Sequence, residues 1–391
     1  MHLRRATFLA LALLGLARAS SAQESVPPVE ERQLFTRATH DAVEGALRWL
    51  AARQNADGSW NARIGFKIND EYSLDPPRQG PEGLPHIGVT ALAGMAFLSG
   101  GHLPGEGPYG KTVRRAMEFV LANVREDGFI TTQNTRMYSH AFCVLFLAEL
   151  YGMTGRADLR EKLDRAVEFT YKSQNEMGGW RYAPGAQDSD MSITVCQVVA
   201  LREARNIGIR VPKATIDRAL KYVLESAVTG PGSDRGAFLY QHQEVPFNRN
   251  SFALTAAGLT TIYQAGLYSD ADVARFCASH DIRKSPPPSI RDCLSYLLWS
   301  YKFVQRDYQD HYFYFYGNYY AAQAMYTCGG STWRQWYAMV RDDLLEAAMH
   351  ERAADGVSTH WRSHYVGETF STAVCAIILQ VPKHYLPIFQ R

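Results

Sequence analysis

Residues 173–196 constrain this chain more than any other stretch. They close an amphipathic helix, make a Gly178-Gly179-Trp180 turn and open a second, far more apolar helix with Asp188 and Asp190 before it. The same order returns along the chain. Residues 41–60 lead to 87–98, 113–129 to 140–151, 159–180 to 191–206, 213–238 to 251–265, 290–304 to 319–326, and 333–361 to 369–380. The amphipathic members superpose as Arg115-Ala116-x-x-Phe119, Arg165-Ala166-x-x-Phe169 and Arg218-Ala219-x-x-Tyr222, with Gly45-Ala46-x-x-Trp49 in register. A unit of about 50–60 residues built this way cannot bury its own apolar face and must stack on its neighbours. The second helix of each unit is apolar on nearly every side, and a helix without a polar face belongs in an interior. The pattern therefore predicts an all-α ring of about six helical hairpins, with the apolar helices inside and the amphipathic ones outside.

Several function classes fall away on composition. Lys and Arg number 41 against 39 Asp and Glu, so there is no electrostatic case for nucleic acid. Residues 1–22 read as a signal peptide: Arg4 and Arg5 precede a short apolar core, and Ser20-Ser21-Ala22 offers small residues for cleavage. The expectation is an exported chain, periplasmic or extracellular, with no membrane span in the mature protein. Residues 23–40 read as a linker, 41–381 as the repeat domain, and 382–391 as a C-terminal strap. The polar segment 61–85 reads as a lid. None of the six cysteines forms a Cys-x-x-Cys pair, and export leaves a disulfide open, Cys277 and Cys293 being nearest in sequence. His280, His311, His350, His360 and His364 show no metal spacing. No metal and no cofactor is expected.

Two turns carry a longer signature: Ala46…Trp49…Gln54-x-x-x-Gly58-x-Trp60 and Ala166…Phe169…Gln174-x-x-x-Gly178-x-Trp180. Here Gln can tie the end of one helix to the start of the next while the aromatic stacks over the joint. The signature resembles the repeat of squalene and terpenoid cyclases and of protein prenyltransferase β-subunits. The resemblance spans essentially the whole mature chain and implies an α/α toroid around a central apolar cavity. Asp188-Ser-Asp190-Met191-Ser192 is similar to the Asp-x-Asp-Asp-Thr acid motif of cyclases that protonate an alkene, which would make Asp190 the proton donor. Met191 stands where that motif has its last aspartate, and Asp190 stands where the prenyltransferases place a zinc-binding cysteine.

If the inner helices are parallel, their starts share one mouth of the ring. Asp190 and Asp188 are then the candidate catalytic acids, and His86, His140, Arg181, Tyr316, Asn318 and Glu368 the candidate ligand-binding residues. Ser139, Asp190, Asn250 and Asn318 are also read as helix caps, which satisfy orphan N–H groups at helix starts. An arginine beside an aspartate holds it ionised and works against proton donation. The tyrosine-rich run 312–320 can line a cavity or simply pack around a turn. Three functions follow: binding of an apolar, isoprenoid-like small molecule, a non-enzymatic ring that binds a protein partner, or a carbohydrate-active barrel with two facing carboxylates.

Overall fold

The computed structural model describes residues 33–62, 83–242, 248–303, 312–353, 356–363 and 366–389. The signal segment 1–22, most of the proposed lid, His311 and His364 lie outside them. Six apolar helices form the inner ring: α2 (Ile87–Leu98), α4 (Met137–Thr154), α6 (Met191–Asn206), α8 (Phe252–Gln264), α11 (Tyr312–Cys328) and α13 (Glu368–Gln380). Each packs on the next, and α13 packs back on α2, so the ring closes. All point the same way, since the starts of neighbours touch. The Ser139 side chain abuts Gly88, Gln197 Nε2 donates to Met137 O, and Phe252 and Ala253 abut Gly317.

Outside lie α1 (Arg37–Ala52), α3 (Gly110–Ala122), α5 (Ala157–Lys172), α7 (Lys213–Glu225), α10 (Ile290–Phe303) and α12 (Gly330–Glu346). Each of these outer helices packs on the inner helix of the preceding hairpin, α1 doing so on α13.

One joint repeats between hairpins. Gln54 Nε2 donates to Gly58 O at 3.0 Å and to Thr112 O at 2.9 Å, and Gln174 Nε2 does the same to Gly178 O at 2.6 Å and Thr215 O at 2.8 Å. Each glutamine thereby ties its turn to the first turn of the next outer helix. Trp60, Trp180 and Trp361 Nε1 cap carbonyls at outer-helix ends, Leu50, Thr170 and Leu344, at 2.7–2.9 Å. The turn glycine adopts positive φ and presses on the next outer helix. A Cβ on Gly58, Gly128, Gly178 or Gly236 would lie 2.2–2.5 Å from the carbonyl oxygen of Arg115, Arg165, Arg218 or Asp292 respectively.

Three local expectations are corrected. The tyrosine-rich run is no turn but the first part of α11, so Asn318 sits inside that helix and donates to Tyr314 O at 3.0 Å instead of capping. The caps of α4 and α8 are Arg136 and Ser251, not Ser139 and Asn250. The last outer helix, expected from Trp333 to Glu351, ends at Glu346 and is followed by two paired strands, β3 (Met349–Ala353) and β4 (Gly356–His360), and β4 packs on α1. An additional helix, α9 (Asp270–Ser279), follows α8. Near the C-terminus lie two 3₁₀ segments, Val381–Lys383 and Pro387–Phe389, the second packing on α4 and α11. All six cysteines are free thiols.

Candidate active site at the inner-helix mouth

The turn before α6 is held from several sides. Asn175 Nδ2 donates to Ala186 O and Asp188 O, Tyr222 OH donates to Ser189 O at 2.8 Å, and Gln241 Nε2 donates to the same carbonyl at 3.0 Å. This fixes Arg181, Asp188 and Asp190 at the mouth where the inner helices begin. Asp190 is fully buried and caps α6: its Oδ1 accepts from Ile193 N at 2.8 Å and from Ser192 Oγ at 2.6 Å. Its Oδ2 accepts from Tyr240 OH at 3.1 Å and lies 3.5 Å from Arg181 Nε. Both carboxylate oxygens are thus occupied by donors. Burial raises the Asp190 carboxyl above the usual carboxylate range, while Ser192, Ile193, Arg181 and Tyr240 pull it back.

Asp188 is half exposed, and its Oδ2 lies 2.9 Å from Arg181 Nη1 in an ion pair without hydrogen-bond alignment. Gln241 Nε2 reaches the same oxygen at 3.4 Å. Burial lowers the Arg181 guanidinium pKa, but Asp190, Tyr240 and Asp188 outweigh it and the group stays charged. Around this triad stand tyrosines. Tyr182 OH and Tyr240 OH are 2.9 Å apart, Tyr138 lies against the rings of Tyr182 and Tyr316, and Tyr316 OH donates to Ser192 O at 2.9 Å. Burial pushes the Tyr138, Tyr240 and Tyr316 hydroxyls up, so they stay protonated.

Below the mouth, side chains of opposite inner helices meet. Phe142 of α4 meets Tyr319 of α11 across the ring at 5.9 Å between centroids, and Cys196 Sγ lies 2.9 Å from Tyr320 OH.

Three other sequence candidates sit on other inner helices. His86 caps α2, its Nδ1 accepting from Val89 N at 3.1 Å. His140 is fully buried between Phe129 and Phe169; its Nδ1 accepts from Ile130 N, and its Nε2 lies 2.9 Å from Thr170 Oγ1. It occupies the place of Thr90, Thr194, Thr255 and Thr372, whose hydroxyls accept the backbone N–H of Trp60, Trp180, Phe238 and Trp361. Glu368 begins α13, with Oε1 4.0 Å from His360 Nε2. Sequence reasoning missed Tyr138, Tyr182, Tyr240, Gln241 and Arg249. A signal existed for two of them: Tyr182 and Tyr240 each stand two residues after a turn aromatic, Trp180 and Phe238. Among the described residues no group of three or more His, Cys, Asp or Glu is placed to hold a metal ion.

No protein-family model matches the chain, and no curated protein matches it. Solved structures do. An α-1,6-mannanase of Salegentibacter sp., in complex with α-1,6-mannotriose, aligns over 89% of this chain and 99% of its own at TM-score 0.53 and 9% identity. Cellobiose 2-epimerase from Spirochaeta thermophila aligns over 90% and 97% at TM-score 0.56 and 12% identity. A type II terpene cyclase from Scytonema, with geranylgeranyl dihydroxybenzoate bound, aligns over 90% and 98% at TM-score 0.52 and 12% identity. The chain is an α/α toroid. At these identities the likeness is one of fold, and this toroid shares it with sugar-acting and isoprenoid-acting enzymes alike. No helix of the toroid's described residues is long and apolar enough to cross a membrane.

Proposed function

We propose that this toroid binds a carbohydrate at the Arg181–Asp188 mouth. The rings of Tyr138, Tyr182, Tyr240 and Tyr316 supply stacking faces, and Arg181, Asp188 and Gln241 supply hydrogen-bonding groups. The observation that carries this reading is the aromatic contact across the centre. Phe142 and Tyr319 meet across the diameter, taking the room a bulky apolar ligand needs, and leave a polar, aromatic-walled rim. Glycoside hydrolysis uses two available carboxyl groups about 5–10 Å apart. Here Asp190 has both oxygens engaged, so Asp188 is the single available carboxylate of the triad and the role assigned is binding. Calorimetric titration with α-1,6-mannotriose and cellobiose tests it. Saturable binding that Arg181→Ala abolishes is expected, and no heat with any oligosaccharide would dismiss the reading.

A second reading keeps an apolar, isoprenoid-like ligand with Asp190 as acid. It is favoured by the burial that raises this carboxyl and by its closeness to Tyr138 and Tyr316, whose ring faces suit a cationic intermediate. Turnover of a geranylgeranyl substrate, lost in Asp190→Asn, would establish it in place of the first. Both readings treat the protein as exported after removal of residues 1–22, which N-terminal sequencing of the mature chain checks.

A further inference from the structure

The rim of the mouth carries a cation that the Arg181–Asp188–Asp190 triad does not use. Arg249, exposed, has its guanidinium carbon 5.0 Å from the Tyr240 ring centroid and 5.2 Å from that of Phe313. Arg181 lies 5.8 Å from the same Tyr240 ring. Arg181 faces two aspartates, whereas Arg249 makes no ion pair among the described residues. Among the described residues Asp234 accepts from Asn250 Nδ2 at 3.1 Å. Two ring contacts limit the rotamers of Arg249, and no described residue hydrogen-bonds its planar fork of donors, the arrangement that pairs with a carboxylate in two parallel hydrogen bonds. Two further arginines sit at rim positions without an ion pair among the described residues: Arg136 at the cap of α4, and Arg362 after Trp361.

The backbone adds to this field. Six parallel inner helices direct their N-termini at the mouth, and each such end carries a partial positive charge that favours anions. Asp190 offsets that charge at α6, and Asp188 is spent on Arg181. Elsewhere on the described rim stand Arg136, Arg249 and Arg362, with Glu368 at the start of α13.

We infer that the mouth selects an acidic carbohydrate, with Arg249 pairing the sugar's carboxylate while the pyranose ring lies against the tyrosines. The inference rests on the carbohydrate reading above and narrows it to uronate-containing oligosaccharides. A neutral sugar leaves the Arg249 fork to water. An acidic one replaces that water with a charge-assisted pair next to two aromatic faces, where local screening is reduced.

The test compares trigalacturonate with α-1,6-mannotriose by calorimetry on the full mature chain, at low and at high salt. The acidic oligomer is expected to bind at least about tenfold tighter at low salt, corresponding to one good charge-assisted pair. Raising the salt should shrink that preference. Arg249→Ala should bring the two affinities together, and Arg249→Lys should restore only part of the gap, because an ammonium lacks the fork. Unchanged melting curves would place these losses at the site and not in folding. Binding of mannotriose with equal or weaker binding of trigalacturonate overturns the acidic preference and leaves the carbohydrate reading standing. Binding of neither overturns both. A preference that survives Arg249→Ala removes Arg249 from the role.

Discussion

Gly45 shows how a single residue records its neighbour. It stands where the aligned outer helices carry Arg115, Arg165 and Arg218, and a Cβ there would lie 2.3 Å from Thr359 Oγ1 of β4. The hairpin that covers α1 thus leaves room for no side chain. The turn glycines obey a stricter rule, since Gly178 combines φ +90° with a Cβ position 2.5 Å from Arg218 O. Gly178→Ala is expected to cost about 2 kcal/mol or more in urea unfolding, because strain in a left-handed conformation alone costs about 1–3 kcal/mol. An unchanged midpoint would contradict the joint. His140 gives a pH signature. Burial lowers its pKa from 6.5 to about 3, so the folded chain keeps it neutral while the unfolded chain protonates. Its contribution is fully present above pH 6.5 and is lost as pH falls toward about 3, with a slope of about 1.4 kcal/mol per pH unit. His140→Thr, the residue other units use here, should flatten that acid limb in urea midpoints taken across pH. A limb of the same steepness would assign it to other groups.

Pairs of elements carry the next effects. Glu149 of α4 and Glu203 of α6 are both fully buried, and Glu149 Oε2 and Glu203 Oε1 have no hydrogen-bond partner. Desolvation raises both carboxyls, and the Glu203 charge raises Glu149 further. A raised carboxyl is least costly below the ordinary value of 4.5, and its stability is lost as pH rises through the folded value. Glu203→Gln is therefore expected to raise the melting temperature at about pH 8 and to lose that gain near about pH 4. A gain equal at both pH values would rule out ionisation as its cause. Gln174 joins two hairpins through Gly178 O and Thr215 O, and its replacement by Ala should cost about 1–3 kcal/mol, read by urea denaturation.

At the scale of the whole molecule, closure of the ring leaves two ends, and the strap covers the one opposite the mouth. Ile388 N donates to Glu149 Oε1 at 3.3 Å, and Leu386 is buried. Removing residues 384–391 should expose apolar surface, seen as dye binding and a lower melting temperature, and wild-type behaviour would mean the strap only decorates the surface. Free thiols throughout predict that the denatured protein titrates six cysteines and that reductant leaves the melting curve unchanged.

The sequence by itself determined the period, the inside and outside helices and the turn joints of Gly58, Gly178, Gln54 and Gln174. Those depend on spacings of a few residues, which a helix or a turn converts directly into geometry. It also placed Asp188, Asp190 and Arg181 together, because they share one turn. The tertiary structure decided what fills the centre and what meets at the mouth. Tyr320 reaches Cys196 and Tyr316 reaches Ser192 across 124 residues each, distances set by the radius of the closed ring and invisible to local pattern. The apolar lining was legible from composition. That Phe142 and Tyr319 meet across it was not, because the gap between opposite helices is fixed only when all six hairpins close.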